Sequence, residues 1–470
     1  MKPRVFLILS LLAAAILLAA CGTPAADEPA AVEPAVEEPA AEEPAAAEPE
    51  EEPAAAEPVT LTFWHWETPP HRVEALQIWL DRYEAETGVT VEQVPINFPD
   101  YQTKILAAIA ADTLPDMMLI NPPNLPLIES AGAMLPIDDI FADLHEQYEF
   151  FEAGVDIYNM GGVQWGIPIY GVYWPMIYRP DLLEEAGLDT PRTWDDFLTV
   201  TRELTTDTDG DGVVDQYGFC MPVSANGNYG SQMVWSFLRS GGGDVVSVSD
   251  GVETIVFNSP ENVRTYGYLA QLAAFAPPGA DNADWGSTEL LIKAGKCGTV
   301  MFTGSWLGEL DANDPDLAAK YRMTDMPWPE DGANIHTGYP RALVLTTTAE
   351  SHLDQVEAFV RWLYEPANHA EMLMAEPALL MPVDKATAES DAFWSYPMNN
   401  KYRNLVEEQA RVGQTLQVIG FTGAEPAPNA SQIETSFTLA KVLQQIVFEG
   451  LSPEEAVAWG EQQYLDIISQ

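Results

Sequence analysis

Aromatic residues at the ends of strand-like runs are the first feature of this sequence with chemical potential. Trp64 and Trp66 close a run of β-forming residues that begins at Val59, and Trp306 follows a second run, Gly298–Thr303. A ring face stacks on the apolar C–H face of a sugar, while a Trp N–H or Tyr O–H bonds its hydroxyls. The chain holds 13 Trp, 17 Tyr and 17 Phe, so any single ring is as readily core, and position has to decide. Trp79, Trp362 and Trp394 fall on helical patterns and read as core; Trp235, Trp285 and Tyr339 lie between the two readings. Polar partners are at hand. Glu67 follows the first run, Asn121 follows a run ending at Ile120, and Arg341 stands in Gly338-Tyr-Pro-Arg341. A carboxylate or amide brackets vicinal hydroxyls, and an Arg does the same or reads a carboxylate or phosphate in bidentate fashion.

A second constellation is Asp207-Thr-Asp209-Gly-Asp211-Gly-Val-Val-Asp215. Aspartates at loop positions 1, 3, 5 and 9 with Gly212 at 6 match the first part of an EF-hand calcium loop. Position 12, where a bidentate Glu is required, holds Gly218. Both a structural calcium site and a metal-free Asp/Gly turn fit. Of three cysteines, Cys220 and Cys297 sit in apparent strands, either bridged or as buried thiols. The six histidines show no HExxH or HxH spacing, and no GxSxG, CxxC, Walker or GxGxxG motif occurs.

The elements that must position these residues follow from periodicity. Val59–Trp64, Val89–Val94 and Asp116–Ile120 read as strands, His71–Thr87 and Tyr101–Ala111 as amphipathic helices. The alternation returns with helices at 194–204, 231–240 and 262–274 and strands at 216–221 and 298–303, and helical patterns fill most of 352–470. This predicts α/β layers around a largely parallel sheet. At 470 residues and 47% apolar composition the chain has room for two domains with a sizeable core. A net charge of −51 repels phosphate backbones and anionic headgroups, which excludes nucleic-acid binding and polybasic membrane attachment.

The first 58 residues stand apart. Lys2 and Arg4 precede an apolar run, Val5–Ala20, too short to span a bilayer, which ends in Leu18-Ala19-Ala20-Cys21. That ending resembles a bacterial lipobox, which implies cleavage before Cys21 and lipidation of its thiol. Residues 22–58 are Ala, Glu and Pro with proline at near-regular spacing, a composition that forms an extended spacer and no core. The expected division is therefore a signal peptide (1–20), a lipidated cysteine with tether (21–58) and a folded body.

The body resembles the extracellular solute-binding proteins of family 1, the sugar-binding subunits of ABC importers. The resemblance rests on an ordered series: TLTFWHW at 60–66, YEAETGVTVEQV at 83–94, ILAAIAADTLPDMMLI at 105–120, SAGAMLPID at 130–138, GIPIYGVYWPMIYRPDLLEEAGLDTPRTWDDF at 166–197, GKCGTVMFTGSW at 295–306 and FVRWLYEPANHAEMLMAE with MPV at 381–383. It implies a two-lobed α/β fold of the periplasmic-binding type with the ligand cleft between lobes. It places 59–172 with 327–378 in one lobe and 173–326 with 379–470 in the other, with crossings near 171–174, 325–329 and 377–382. It implies capture of a mono- or oligosaccharide by a monomer without catalysis, delivered to a permease, the body being held outside the cell membrane by lipid alone. Required cofactors are none, with calcium at most structural. Trp306 takes the family's G-x-W stacking position, and Tyr170 and Tyr173 lie at the first crossing. Ligand contacts are thus expected from Trp64, Trp66, Glu67, Asn121, Tyr170, Tyr173, Trp285, Trp306, Tyr339 and Arg341. The family's maltose readers carry acidic and Arg residues after the third strand; here Asn121-Pro-Pro-Asn124 stands there. Alternative solutes are glycerol-phosphate-like polyols, with Arg341 on the phosphate, and cationic small molecules. A secreted glycoside hydrolase and an adhesion lipoprotein are the readings from other classes, and neither explains the full-length pattern.

Overall fold

A computed structural model describes residues 59–423 and 425–469. The expected signal peptide, Cys21 and tether lie outside the described residues.

The body opens with β1 (Thr60–His65), α1 (Pro70–Thr87), β2 (Thr90–Pro95), α2 (Phe98–Ala111) and β3 (Met117–Ile120). Helix α1 starts with Pro70 at its first turn, buries Leu76, Trp79, Leu80 and Tyr83 along one face, and ends at Gly88 with φ 77°. That spacing, proline at the start and a left-handed glycine at the end are what dictate its limits. Strands β4 (Ile167–Tyr173) and β5 (Met176–Tyr178) follow, then α3 (Trp194–Glu203), β6 (Tyr217–Phe219), α4 (Tyr229–Ser240) and β7 (Cys297–Met301). Helix α3 is opened by a reciprocal capping box between Thr193 and Asp196. The remainder comprises α5 (Leu307–Asn313), β8 (Arg322–Thr324), β9 (His336–Leu345), β10 (Leu416–Gln417), α6 (Ala430–Thr435) and α7 (Thr438–Val447), among shorter helices.

Two main sheets result. The first has the order β10-β9-β3-β1-β2, with β4 also paired to β9; the second has the order β8-β5-β7-β6. The chain passes from the first to the second between Tyr173 and Met176, and returns between Thr324 and His336. Gly171 and Met381 form an antiparallel bridge at the same crossing. The expectation of a largely parallel sheet holds only in part. β1 pairs with β2 and β3 in parallel, as does β9 with β10, but β9 runs antiparallel to both β3 and β4. A strand returning from the second sheet enters the first from the opposite end, which reverses its direction. In the second sheet β5 is antiparallel to both neighbours, and only β6 and β7 are parallel.

Cys220, just after β6, and Cys297, at the start of β7, are bridged, with Cα atoms 5.5 Å apart. The bridge joins two neighbouring parallel strands, so the free-thiol alternative does not hold here.

Candidate functional site

The C-terminal ends of β1 and β3 open onto a cavity of about 560 Å³. Trp66 is delivered by β1 and Asn121 by β3, and α2 supplies Phe98, Tyr101 and Gln102. The opposite wall comes from Asn226 and Asn228, ahead of α4, and from Ser431, Glu434 and Thr435 on α6 with Phe437. A larger hollow of about 670 Å³ is walled wholly by residues between 187 and 200. Unlike that hollow, the cavity at the strand ends draws its two walls from segments more than 100 residues apart.

The aromatic floor is held rigidly. Trp66 meets Phe98 and Tyr101 edge-to-face at centroid distances of 5.7 and 5.0 Å. The Tyr101 hydroxyl reaches the carbonyls of Trp64 (3.0 Å) and Leu119 (2.9 Å), tying α2 to both strand ends. Across the cavity Gln102 Nε2 donates to Ser431 Oγ at 2.8 Å, and Asn124 Nδ2 to the same oxygen at 3.3 Å. Asn121 is almost fully buried and its Oδ1 has no hydrogen-bond partner. Phe437 adopts φ 53°, a left-handed backbone unfavourable for a bulky residue, to enter this wall.

A charged layer lies behind the floor. The Arg341 guanidinium sits 5.1 Å from the Trp66 ring centre and 4.9 Å from that of Tyr339. The Tyr339 hydroxyl donates to Glu434 Oε1. Burial raises the pKa of Glu434 above the ordinary carboxylate value, against the lowering effect of the Tyr339 hydroxyl and the Arg341 charge. Glu67 accepts from Arg72 Nη1 (2.7 Å) and from the Tyr170 hydroxyl, and Arg72 Nε binds Glu376 at 2.9 Å. Burial, then the Glu67 carboxylate, pushes the Tyr170 phenol well up, so it stays a donor.

Of the ten expected ligand contacts, Trp66 and Asn121 line the cavity, and Glu67, Tyr170, Tyr339 and Arg341 form the layer behind it. Four lie elsewhere. Trp64 is half-buried beneath the Lys104 ammonium, 4.7 Å from its ring centre. Trp285 packs on Phe302 at 4.3 Å and on Tyr229 at 5.9 Å. Trp306 is fully covered, its ring 4.9 Å from Tyr321 and its Nε1 without a hydrogen-bond partner. It caps α5 two residues after Gly304, which packs so closely on Ala378 that a Cβ there would lie 2.2 Å from the Ala378 oxygen. Tyr173 is buried in a slot of three glycines, Gly171, Gly338 and Gly413.

The Asp loop gathers ligand oxygens of Asp207, Asp209 and Asp215 within 4.8 Å of one another, without Asp211. Backbone N–H groups occupy them already: Gly210 and Gly212 donate to Asp207 at 2.7 Å, and Asp211 to Asp209 at 3.1 Å. Gly218 lies in β6, where a Cβ would fall 2.1 Å from the Thr201 oxygen, so no larger residue fits there.

Sequence reasoning missed the whole second wall. Asn226, Asn228, Ser431, Glu434 and Phe437, together with Phe98 and Gln102, carry no local motif; only the Asn-Gly-Asn ahead of α4 is unusual. The resulting arrangement, an apolar aromatic floor facing a ring of amides and hydroxyls, suits a small solute rich in hydroxyl groups. Outside this cavity, Ser351 Oγ and Asp116 Oδ1 both reach the same His352 Nδ1, a geometry unlike a Ser–His–Asp relay, which uses both ring nitrogens.

A two-lobed fold with its cavity between the walls defines a binding protein. The chain belongs to the bacterial extracellular solute-binding protein family, whose model matches residues 69–370. It is 23% identical over 374 residues to "Putative ABC transporter periplasmic-binding protein YcjN" of Escherichia coli (strain K12), covering 78% of this chain and 82% of that protein. It is 22% identical over 275 residues to the arabinooligosaccharide-binding protein of Halalkalibacterium halodurans, covering 56% and 58%. Among solved structures it shares a TM-score of 0.72 at 19% identity with the sugar-binding protein MalE from Xanthomonas citri, over 87% of this chain and 98% of that one.

Proposed function

We propose that the protein captures a carbohydrate, a mono- or oligosaccharide, between its lobes and passes it to the permease of an ABC importer. The supporting observation is the cavity itself: Trp66, Phe98 and Phe437 supply ring surface for a sugar's C–H face, and Asn121, Asn226, Asn228, Gln102 and Ser431 supply neutral donors and acceptors beside the Glu434 carboxylate. The lobes are drawn at 59–172 with 327–378 and at 173–326 with 379–470. The protein works without catalysis, as a monomer, tethered outside the membrane through lipid on Cys21.

Thermal shift of the purified protein against mono-, di- and trisaccharides tests this reading. A ligand at 100 times its dissociation constant adds about 2.7 kcal/mol, visible as a few degrees. No shift across the panel with folded protein refutes it. Turnover of a chromogenic glycoside would refute the absence of catalysis. Calcium against chelator in the same assay tests a structural ion at the Asp207 loop.

A further inference from the structure

The guanidinium of Arg341 has no hydrogen-bond or ion-pair partner, although the side chain is only 8% exposed. Its Nε and Nη1 are sealed from water and unpaired. Guanidinium keeps its charge; the Glu434 carboxylate attracts it through space but gives it no hydrogen bond, and a buried charge without an acceptor is costly. Every acid near it is engaged: Glu67 and Glu376 with Arg72, and Glu434 with the Tyr339 hydroxyl. The cation–π contacts with Trp66 and Tyr339 orient the group but supply no acceptor. In a chain with 72 acids and 21 basic residues, a buried cation left without a carboxylate is conspicuous.

A second unpaired group lies on the same side. Asn121 Oδ1, in a residue only 4% exposed, lacks a donor, and Asn121 and Trp66 line one cavity. The two groups want opposite things. The amide oxygen wants an O–H or N–H, and the guanidinium wants an anion.

We propose that the solute is an acidic sugar, a uronate or aldonate, whose carboxylate binds Arg341 while a hydroxyl donates to Asn121. This rests on the carbohydrate reading above and narrows it. Trp66 lines the cavity and packs on the guanidinium, so a sugar stacked on its ring sends the carboxylate past the ring edge to Arg341. A neutral sugar would satisfy Asn121 and leave Arg341 unpaired.

The test is calorimetric titration of the full chain with galacturonate, its methyl ester and galactose, and with the glucuronate and lactobionate sets in parallel. The expected result is an acid bound at least tenfold more tightly than its ester or neutral partner, with the preference falling as salt rises. In R341Q the ratio should drop below threefold, and in R341K it should stay intermediate. Equal or tighter binding of the neutral sugar overturns the proposal and leaves carbohydrate capture standing. So does an acid preference that survives R341Q. Silence from every sugar, acidic or neutral, overturns both. If R341Q does not fold, the wild-type acid-to-ester ratio and its salt dependence decide.

Discussion

Tyr173 offers the sharpest test of how the crossing between the sheets is built. Its ring fills a slot made by three glycines from three segments. A Cβ at Gly413 would lie 2.5 Å from Tyr173 Cε2, one at Gly338 2.9 Å from Cδ1, and one at Gly171 2.0 Å from the hydroxyl oxygen. All three are below any normal contact, and with the slot closed on several sides the ring has no room to swing away. Overpacking of this kind costs about 1–3 kcal/mol. Replacing Gly by Ala returns roughly 0.4–1 kcal/mol by restricting the unfolded chain. Gly413→Ala should therefore destabilise by about 1–2 kcal/mol net, with part of any further loss taken up by movement at the crossing. The decisive measurement is a double-mutant cycle in urea. With the ring shortened by Tyr173→Leu, Gly413→Ala should cost almost nothing, giving a coupling energy of about 1 kcal/mol or more. Equal costs in both backgrounds would refute the slot. If Tyr173→Phe abolished solute binding while leaving stability intact, the hydroxyl would be a ligand contact after all.

His336 should make stability fall with acid. Burial pushes its pKa down to about 4, against Asp325 and Glu408, which raise it, and with Arg411, which lowers it further. Its Nε2 accepts from the Met326 N–H, so Nδ1 carries the proton toward Thr415 Oγ1. The unfolded chain takes up a proton below about 6.5, the folded one only near 4; this contribution is intact above 6.5 and is lost as pH falls toward 4, by about 3 kcal/mol in total. His336→Gln should flatten the melting profile across that window, and an unchanged slope would count against it. Trp66→Ala should weaken sugar binding more than tenfold by isothermal titration, whereas Trp306→Ala should cost about 3–5 kcal/mol of stability as a buried-ring deletion with affinity nearly unchanged. The opposite pattern would return the stacking role to Trp306. Reducing Cys220–Cys297, which closes 77 residues, should lower stability by up to roughly 4 kcal/mol, read as a melting shift with reductant.

Local pattern carried the elements built from one segment. The buried face of α1 and its glycine stop, and the alternation of β1, are written in consecutive residues. Strand β9 was not legible, for a specific reason: it contains Pro340, which cannot donate to a ladder and argues against a central strand. The structure accommodates it where the pairing with β4 shifts register between Arg341 and Ala342, and the Tyr158 hydroxyl donates to the Pro340 carbonyl at 2.6 Å. The site divided the same way. Trp66 and Asn121 were legible because a strand's end is a place defined in sequence. The wall from Asn226 to Phe437 was not, because only the packing of α6 against the segment after β3 makes it a wall. Trp306 shows the converse: a motif marks the turn, while its ring lies buried against Tyr321, a contact the motif does not encode.

The unpaired groups also bear on how closure is controlled. Gln102 already bridges to Ser431 across the cavity, so the two walls are in contact while Asn121 Oδ1 and two nitrogens of Arg341 stay unsatisfied. A buried polar group without a partner costs about 1–3 kcal/mol, and more when charged. The solute-free form described here carries those penalties; a form that admitted water to both groups would not. A solute that completes both shifts the balance by the penalties it removes, about 2–6 kcal/mol. Moving a two-state equilibrium from 1:99 to 99:1 takes about 5.5 kcal/mol, so satisfying this one pair of groups brings most of the switch within reach. A solute that satisfies only Asn121 should therefore bind without closing the protein fully, which scattering would register as a smaller decrease in radius of gyration.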